Sequence, residues 1–299
     1  MWLAGRVAVA VSASIPALAV ALLDLSFTTA LLFFLGREIL IGRNWRNLPV
    51  LGLLTVITLA NGLFHWQAAQ GASTGDNIGL RLALAGEIML IALIGGRIVP
   101  SFMRNWLVQR KASSLPEPAG PFDHVSLLIT GAALISFAAV PEAGVTALLC
   151  AVAGLTNLVR LSRWQGQQTL AEPLLWVLHA GYAFLALGFL AVSAAAAGYI
   201  PLPSALHVWL AGAIGVMTVA VMTRATRGHT GRALTAPPLT LIVYLLLIAC
   251  VVLRLAAGLF PSFTDWGWSL AALAWIGAFG LYLLAYGTMH LRPAQARPR

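Results

Sequence analysis

Six histidines stand in a chain that carries few other polar groups, and one of them opens its most informative stretch. His207 begins the run LHVWLAGAIGVMTVAVMTRATRGHTGR (Leu206 to Arg232), with small residues four and eight positions on at Ala211 and Gly215 and a second histidine, His229, in the basic turn that closes it. A histidine followed by small residues on one helical face leaves room for a flat macrocycle against the backbone. Imidazole is a common ligand of haem iron and of copper. His65 and His179 also sit in apolar surroundings, where an imidazole needs a ligand or a hydrogen-bond partner.

Other polar residues interrupt apolar runs in the same way. Asp24, Arg81, Glu87 and Arg254 are ionisable groups in segments that otherwise suit a bilayer, and such groups usually face an interior site. Arg81 and Arg254 suit the carboxylates of haem propionates, since a guanidinium fork matches a carboxylate; an Asp24–Arg ion pair of purely structural role is the competing reading. Glu87 reads as a proton-transfer group, a metal ligand or a protonated carboxyl bonded to a neighbour. Asn61, one helical turn before His65, is placed to orient that imidazole, and Tyr182 stands similarly to His179. Met217 and Met222 share no face and read as packing. Trp45, Trp66, Trp106, Trp164 and Trp266 read as interfacial anchors. No Walker loop, dinucleotide fingerprint or nucleophile–base order is present.

The elements that hold these residues follow from composition. Of 299 residues, 60% are hydrophobic and 9% charged, against about 25% charged in soluble domains. A hydrocarbon layer of roughly 30 Å needs about 20 apolar helical residues. Breaks in the apolar runs define nine spans, at 16–41, 47–69, 76–100, 122–140, 143–161, 173–198, 203–226, 237–259 and 265–290, after a short apolar piece at 2–13. The fold expected is an all-α polytopic transmembrane helical bundle forming one domain over 1–299. A cytoplasmic linker is expected at about 101–121, with Pro100 ending a helix. Cys150 and Cys250 lie inside apolar runs and lack metal-type spacing.

The net charge of +9 needs no nucleic acid, because cytoplasmic loops of membrane proteins collect Lys and Arg. Arg37, Arg43 and Arg46, then Arg97, Arg104, Arg110 and Lys111, then Arg160 and Arg163, then Arg224, Arg227 and Arg232, and the tail Arg292, Arg297 and Arg299 fall on alternate connections. The intervening loops carry none. That pattern puts the C-terminus in the cytoplasm. It also sorts the histidines. His65 and His207 lie at one depth near the outer face, His179 in the inner leaflet, and His124, His229 and His290 at cytoplasmic ends.

Four segments together, NGLFH (Asn61 to His65), GGRIVPSFMRNWL (Gly95 to Leu107), LHAGYAFLALG (Leu178 to Gly188) and the His207 run, resemble the NnrS family of bacterial membrane proteins, over nearly the whole chain. The family pattern includes two further helices, with a His-Glu-Met motif, ahead of the stretch that begins here. The resemblance implies an inner-membrane protein that binds haem, with copper as a second candidate, and that contributes to nitric oxide tolerance or denitrification. It implies His65, His179, His207 and His229 as the ligand set. Partners expected are the lipid bilayer, nitric oxide or a related small molecule, and a redox partner or membrane subunit. Two other readings stay open. One is a small-solute or metal permease using Asp24, Arg81, Glu87 and Arg254; the other is a non-catalytic assembly subunit.

Overall fold

The computed structural model describes residues 1–73 and 75–291. Thr74 and residues 292–299 are outside it, and with them the tail arginines Arg292, Arg297 and Arg299 of the orientation argument. The described chain is helical, with no strand. Helices α1 (Trp2–Ala10), α2 (Ala17–Ile41), α3 (Leu48–Ala69), α4 (Ile78–Gln109), α5 (Pro121–Ala139), α6 (Gly144–Ser162) and α7 (Pro173–Ala196) come first. Next comes a three-part rod: α8 (Leu202–His207), a π-helical segment (Val208–Val216) and α9 (Met217–His229). Helices α10 (Pro238–Leu259) and α11 (Thr264–Leu291) complete it. Nine stretches among the described residues are long and apolar enough to cross a membrane, at the positions the hydropathy pattern indicates. The protein is an all-α polytopic membrane protein.

Two boundaries differ from expectation. Helix α4 does not stop at Pro100 but runs through it to Gln109, so the non-helical part of the expected linker begins only after that. Proline removes one backbone hydrogen bond, yet an unwound end at that level would expose several polar groups to an apolar layer. Continuing the helix is the cheaper arrangement. The span opened by Leu202 is not a uniform α-helix: between Val208 and Val216 it widens to the π form. A local π insertion changes the angular register of everything before it relative to everything after it. Such insertions in membrane and soluble helices alike cluster at functional sites.

The chain divides into two compact units. One comprises Met1–Leu90 with Leu134–Val140, the other Ile91–Ala133 with residues from Pro141 onward. In the first, α2 and α3 bury few residues. Their exposed Leu22, Phe33, Phe34 and Leu59 are what a lipid-facing helix presents, because lipid rather than water is the neighbour. Gly5 of α1 lies directly on the backbone of Asp24 in α2, where any larger side chain would collide.

In the second unit α7 is the central element, with Leu174, Leu178, Tyr182, Leu185 and Phe189 all fully buried. It packs along the rod that follows. Trp209, inside the π segment, is fully buried, donates its indole N–H to the Leu185 carbonyl (3.1 Å) and meets Phe189 edge to face. That single hydrogen bond satisfies the one polar atom of a large apolar side chain and pins the π segment to α7.

Candidate functional site

The second unit contains a cavity of about 450 Å³ lined by His207, Ala211, Cys250, Arg254, Ala271 and Trp275, among others. Its volume is within the range of small-molecule sites, roughly 300–1,000 Å³. His207 comes from the end of α8 and Ala211 from the π segment, while Cys250 and Arg254 are one turn apart on α10. Ala271 and Trp275 are one turn apart on α11. The His207 Nδ1 is 2.6 Å from the Pro203 carbonyl. A carbonyl only accepts, so Nδ1 carries the proton and Nε2 is left with its lone pair. A backbone carbonyl fixing the tautomer in this way is the usual support of a metal-binding imidazole.

Arg254 is half-buried and has no carboxylate partner among the described residues. Its guanidinium lies 5.5 Å from the ring centroid of Trp268, another lining residue. The aromatic face stabilises the cation without neutralising it, so the cavity keeps a positive charge at one wall. Ala211, Ala271 and Ala272 line it beside the larger Leu210, Trp275 and Ile276; of the small residues four and eight positions after His207, Ala211 is in the lining. Gly215, the other small residue of that pattern, packs on Trp275.

The first unit holds a separate polar cluster. Asp24 is buried and accepts from three directions: Arg6 pairs with Oδ1, Asn61 Nδ2 donates to Oδ2 at 3.0 Å, and His65 Nε2 is 3.2 Å from Oδ2. The ion pair considered for Asp24 therefore exists, but its cation is Arg6 of α1. Asn61 does not orient His65 directly; both are held by the same carboxylate. Arg81 is engaged elsewhere, with Nε on the Ala138 carbonyl (2.9 Å) and Nη1 on that of Gly75 (2.6 Å). Glu87 has no hydrogen-bond or ion-pair partner among the described residues. It lines a cavity of about 430 Å³ together with Arg6, Asp24 and Asn61.

The remaining histidines disperse. The His179 Nδ1 is 3.4 Å from the Leu175 carbonyl, and Nε2 is buried with no hydrogen-bond partner. That nitrogen faces Gly166, where a side chain larger than hydrogen would overlap the ring. His229 is exposed at the end of α9, and His124 and His290 are also exposed. Among the described residues no three His, Cys, Asp or Glu side chains converge as a metal site. The implied set His65, His179, His207 and His229 is thus not gathered at one point within either unit.

A buried network went unrecognised in the sequence. Arg160, counted above as a loop cation, is only 2% exposed. Its Nε donates to Asp123 Oδ1 (2.9 Å), and its Nη1 donates to the Ala92 carbonyl (2.9 Å) and to the Tyr182 hydroxyl (2.7 Å). Tyr182 in turn donates to Asn157 Oδ1 (2.7 Å), not to His179. Asp123 Oδ2 accepts from the Gly120 N–H (2.9 Å) and from Arg163 (3.1 Å). Arg163, just outside the membrane-spanning part of α6, also donates to Glu117, and that hydrogen bond pushes its pKa further up. Gly96 leaves the space the Arg160 guanidinium occupies. Trp164, read as an interfacial anchor, is instead 2% exposed and stacks edge to face on Tyr182 at 4.6 Å. An acid in the first turn of α5 and a base in the last turn of α6 each suit the helix dipole alone, so their types did not mark them as a buried pair.

Three of the four distinctive sequence segments thus contribute to the second unit. Gly96 opens space for the buried arginine, Tyr182 bonds it, and the His207 run forms a cavity wall. The fourth, ending in His65, builds the Asp24 cluster of the first unit. No curated protein and no solved structure matches the chain. The profile of one protein family, described as NnrS protein, matches residues 1–294. The chain belongs to the NnrS family.

Proposed function

We propose that this protein binds haem in the second-unit cavity and contributes to nitric oxide tolerance or denitrification from the bacterial cytoplasmic membrane, with its C-terminus in the cytoplasm. One observation carries the reading: a single cavity combines a histidine whose Nε2 is free and oriented with an arginine that has no carboxylate partner. His207 is five residues from the start of α8 and Arg254 five from the end of α10, about 7–8 Å along each helix. Both therefore stand at a similar depth.

The donor set fits a haem. His207 would hold the iron through Nε2, Arg254 would hold a propionate, and Ala211 and Ala271 would contribute to the apolar wall beside it. When bound, the group would supply a redox-active iron able to bind nitric oxide, with a potential that a histidine ligand tunes. The protein's share is to orient the ligand, neutralise propionate charge and keep the macrocycle in an apolar wall. Copper is less well served, since the described residues bring no three ligands together. Of the residues the permease reading would use, Asp24 and Glu87 line the first-unit cavity, Arg81 holds backbone carbonyls, and Arg254 lines the second-unit cavity.

The test is the optical spectrum of detergent-purified protein before and after dithionite and then nitric oxide. The expected result is a Soret band that shifts with nitric oxide, is lost or displaced in His207→Ala, and is retained in His290→Ala. A protein that purifies without colour from haem-replete cells, or a His207→Ala spectrum identical to that of the parent, overturns the proposal.

A further inference from the structure

The first-unit cavity is a different site with a different chemistry. Asp24, Asn61 and Glu87 lie seven, eight and nine residues from the neighbouring ends of α2, α3 and α4, on the order of 10–14 Å along each helix. They form one polar level inside a membrane-spanning region. Its walls include the aromatic rings of Trp2, Phe27 and Phe64.

Hydrogen bonding determines what this level has left to offer. The Asp24 carboxylate is occupied by Arg6, Asn61 and His65. The Asn61 amide nitrogen is used on Asp24, which leaves its Oδ1 as an acceptor. Glu87 is exposed to the cavity and has no hydrogen-bond or ion-pair partner among the described residues. With an ionised Glu87 the open positions are mainly acceptors. An anion is disfavoured because Arg6 is already neutralised. A hard cation is disfavoured because it needs several oxygen ligands, and only one carboxylate is free. What remains is a lipid-soluble molecule with hydroxyl donors on a flat ring, the ring lying against aromatic walls and its tail in lipid.

We propose that this cavity binds a membrane quinol. One hydroxyl donates to the Glu87 carboxylate, the Asn61 Oδ1 accepts from the molecule's other polar edge, and Phe27 and Phe64 flank the ring. The oxidised quinone has only acceptors at those positions and binds more weakly.

The experiment is photolabelling of the purified full-length protein in detergent with an azido-quinone, followed by peptide mapping. Label is expected on 2–9, 24–28, 57–64 and 80–87, and decyl-ubiquinol should displace it at lower concentration than decyl-ubiquinone. Glu87→Leu should weaken labelling about tenfold, as expected for one hydrogen bond to a charged acceptor. Glu87→Gln keeps an acceptor oxygen and should retain most of it. Phe27→Ala, at an exposed ring of the cavity wall, provides a second variant that should also label less. Label confined to other parts of the chain, labelling of Glu87→Leu and Phe27→Ala at the level of the parent, or equally good displacement by a lysophospholipid overturns the assignment. None of these readouts depends on haem.

Discussion

The Asp24 carboxylate and the His65 imidazole are 3.2 Å apart through Nε2, which leaves Nδ1 as the only ring nitrogen free for another partner. The same carboxylate pairs with Arg6, whose side chain is about half exposed, whereas Asp24 is 7% exposed. Removing either partner is therefore not equivalent. Arg6→Ala strands a buried anion held only by Asn61 and His65, whereas Asp24→Asn strands a cation that can still reach solvent or a lipid headgroup. Arg6→Ala should cost roughly 1–3 kcal/mol and Asp24→Asn less, with the double variant closer to the parent than the sum of the two. Thermal unfolding in detergent measures this cycle, and the reverse order would refute the assignment of the charge pair.

The Arg160–Asp123 pair makes a stronger demand, because both partners are almost fully buried. Removing the guanidinium in Arg160→Ala should destabilise the protein by about 3–5 kcal/mol. Gly96→Ala places a methyl group where that guanidinium lies and should cost about 1–3 kcal/mol by overpacking. In the Arg160→Ala background the methyl has room, so the two losses should be strongly sub-additive. Additive losses in unfolding measurements would show that Gly96 does not make way for Arg160.

These two clusters mark the limits of reading such a chain. The nine spans were legible because a bilayer imposes one length and one composition on every crossing helix. His207 and Arg254 were legible as a pair of interest because each breaks an apolar run. Arg160 was not. It lies in the last turn of α6, where the positive-inside pattern already accounts for an arginine, and only the packing of α4 and α5 shows that it points inward. The widening at Val208–Val216 was also hidden. That stretch is apolar almost all round, so no periodicity in it separates an α from a π winding. The His179 environment depends on Gly166, in a turn that no helical pattern reaches.

Arg254 distinguishes two roles that His207→Ala alone does not. If it holds a propionate and His207 holds the iron, Arg254→Leu should lower the fraction of protein retaining haem several-fold while leaving the Soret maximum unmoved, since the axial ligand is unchanged. Arg254→Lys should restore part of the occupancy, because an ammonium pairs with a carboxylate without the two-point geometry. Haem content by pyridine haemochrome, set beside the absorption maximum, separates the two effects. A moved maximum with full occupancy would give Arg254 a role at the iron instead.

The π segment makes the last prediction, because it connects an anchored residue to the cavity ligand. Trp209 is pinned to the Leu185 carbonyl, and α9 is fixed below by the Thr223–Tyr244 hydroxyl contact (2.5 Å) and the Arg227 bond to the Ala233 carbonyl (2.8 Å). Deleting Ile214 removes the extra residue that a π turn accommodates and lets the rod relax toward an α-helix, a change of about 100° in register per residue. On the α9 side Thr223 and Arg227 hold the helix, whereas on the side of the six-residue α8 the Trp209 hydrogen bond to Leu185 must break for the rotation to occur. The deletion should therefore turn His207 out of its cavity and remove the haem signal, with helix content by circular dichroism unchanged. Ile214→Ala keeps the register and should keep the signal. If the deletion variant bound haem with an unaltered spectrum, the winding of this segment could not be what aims His207.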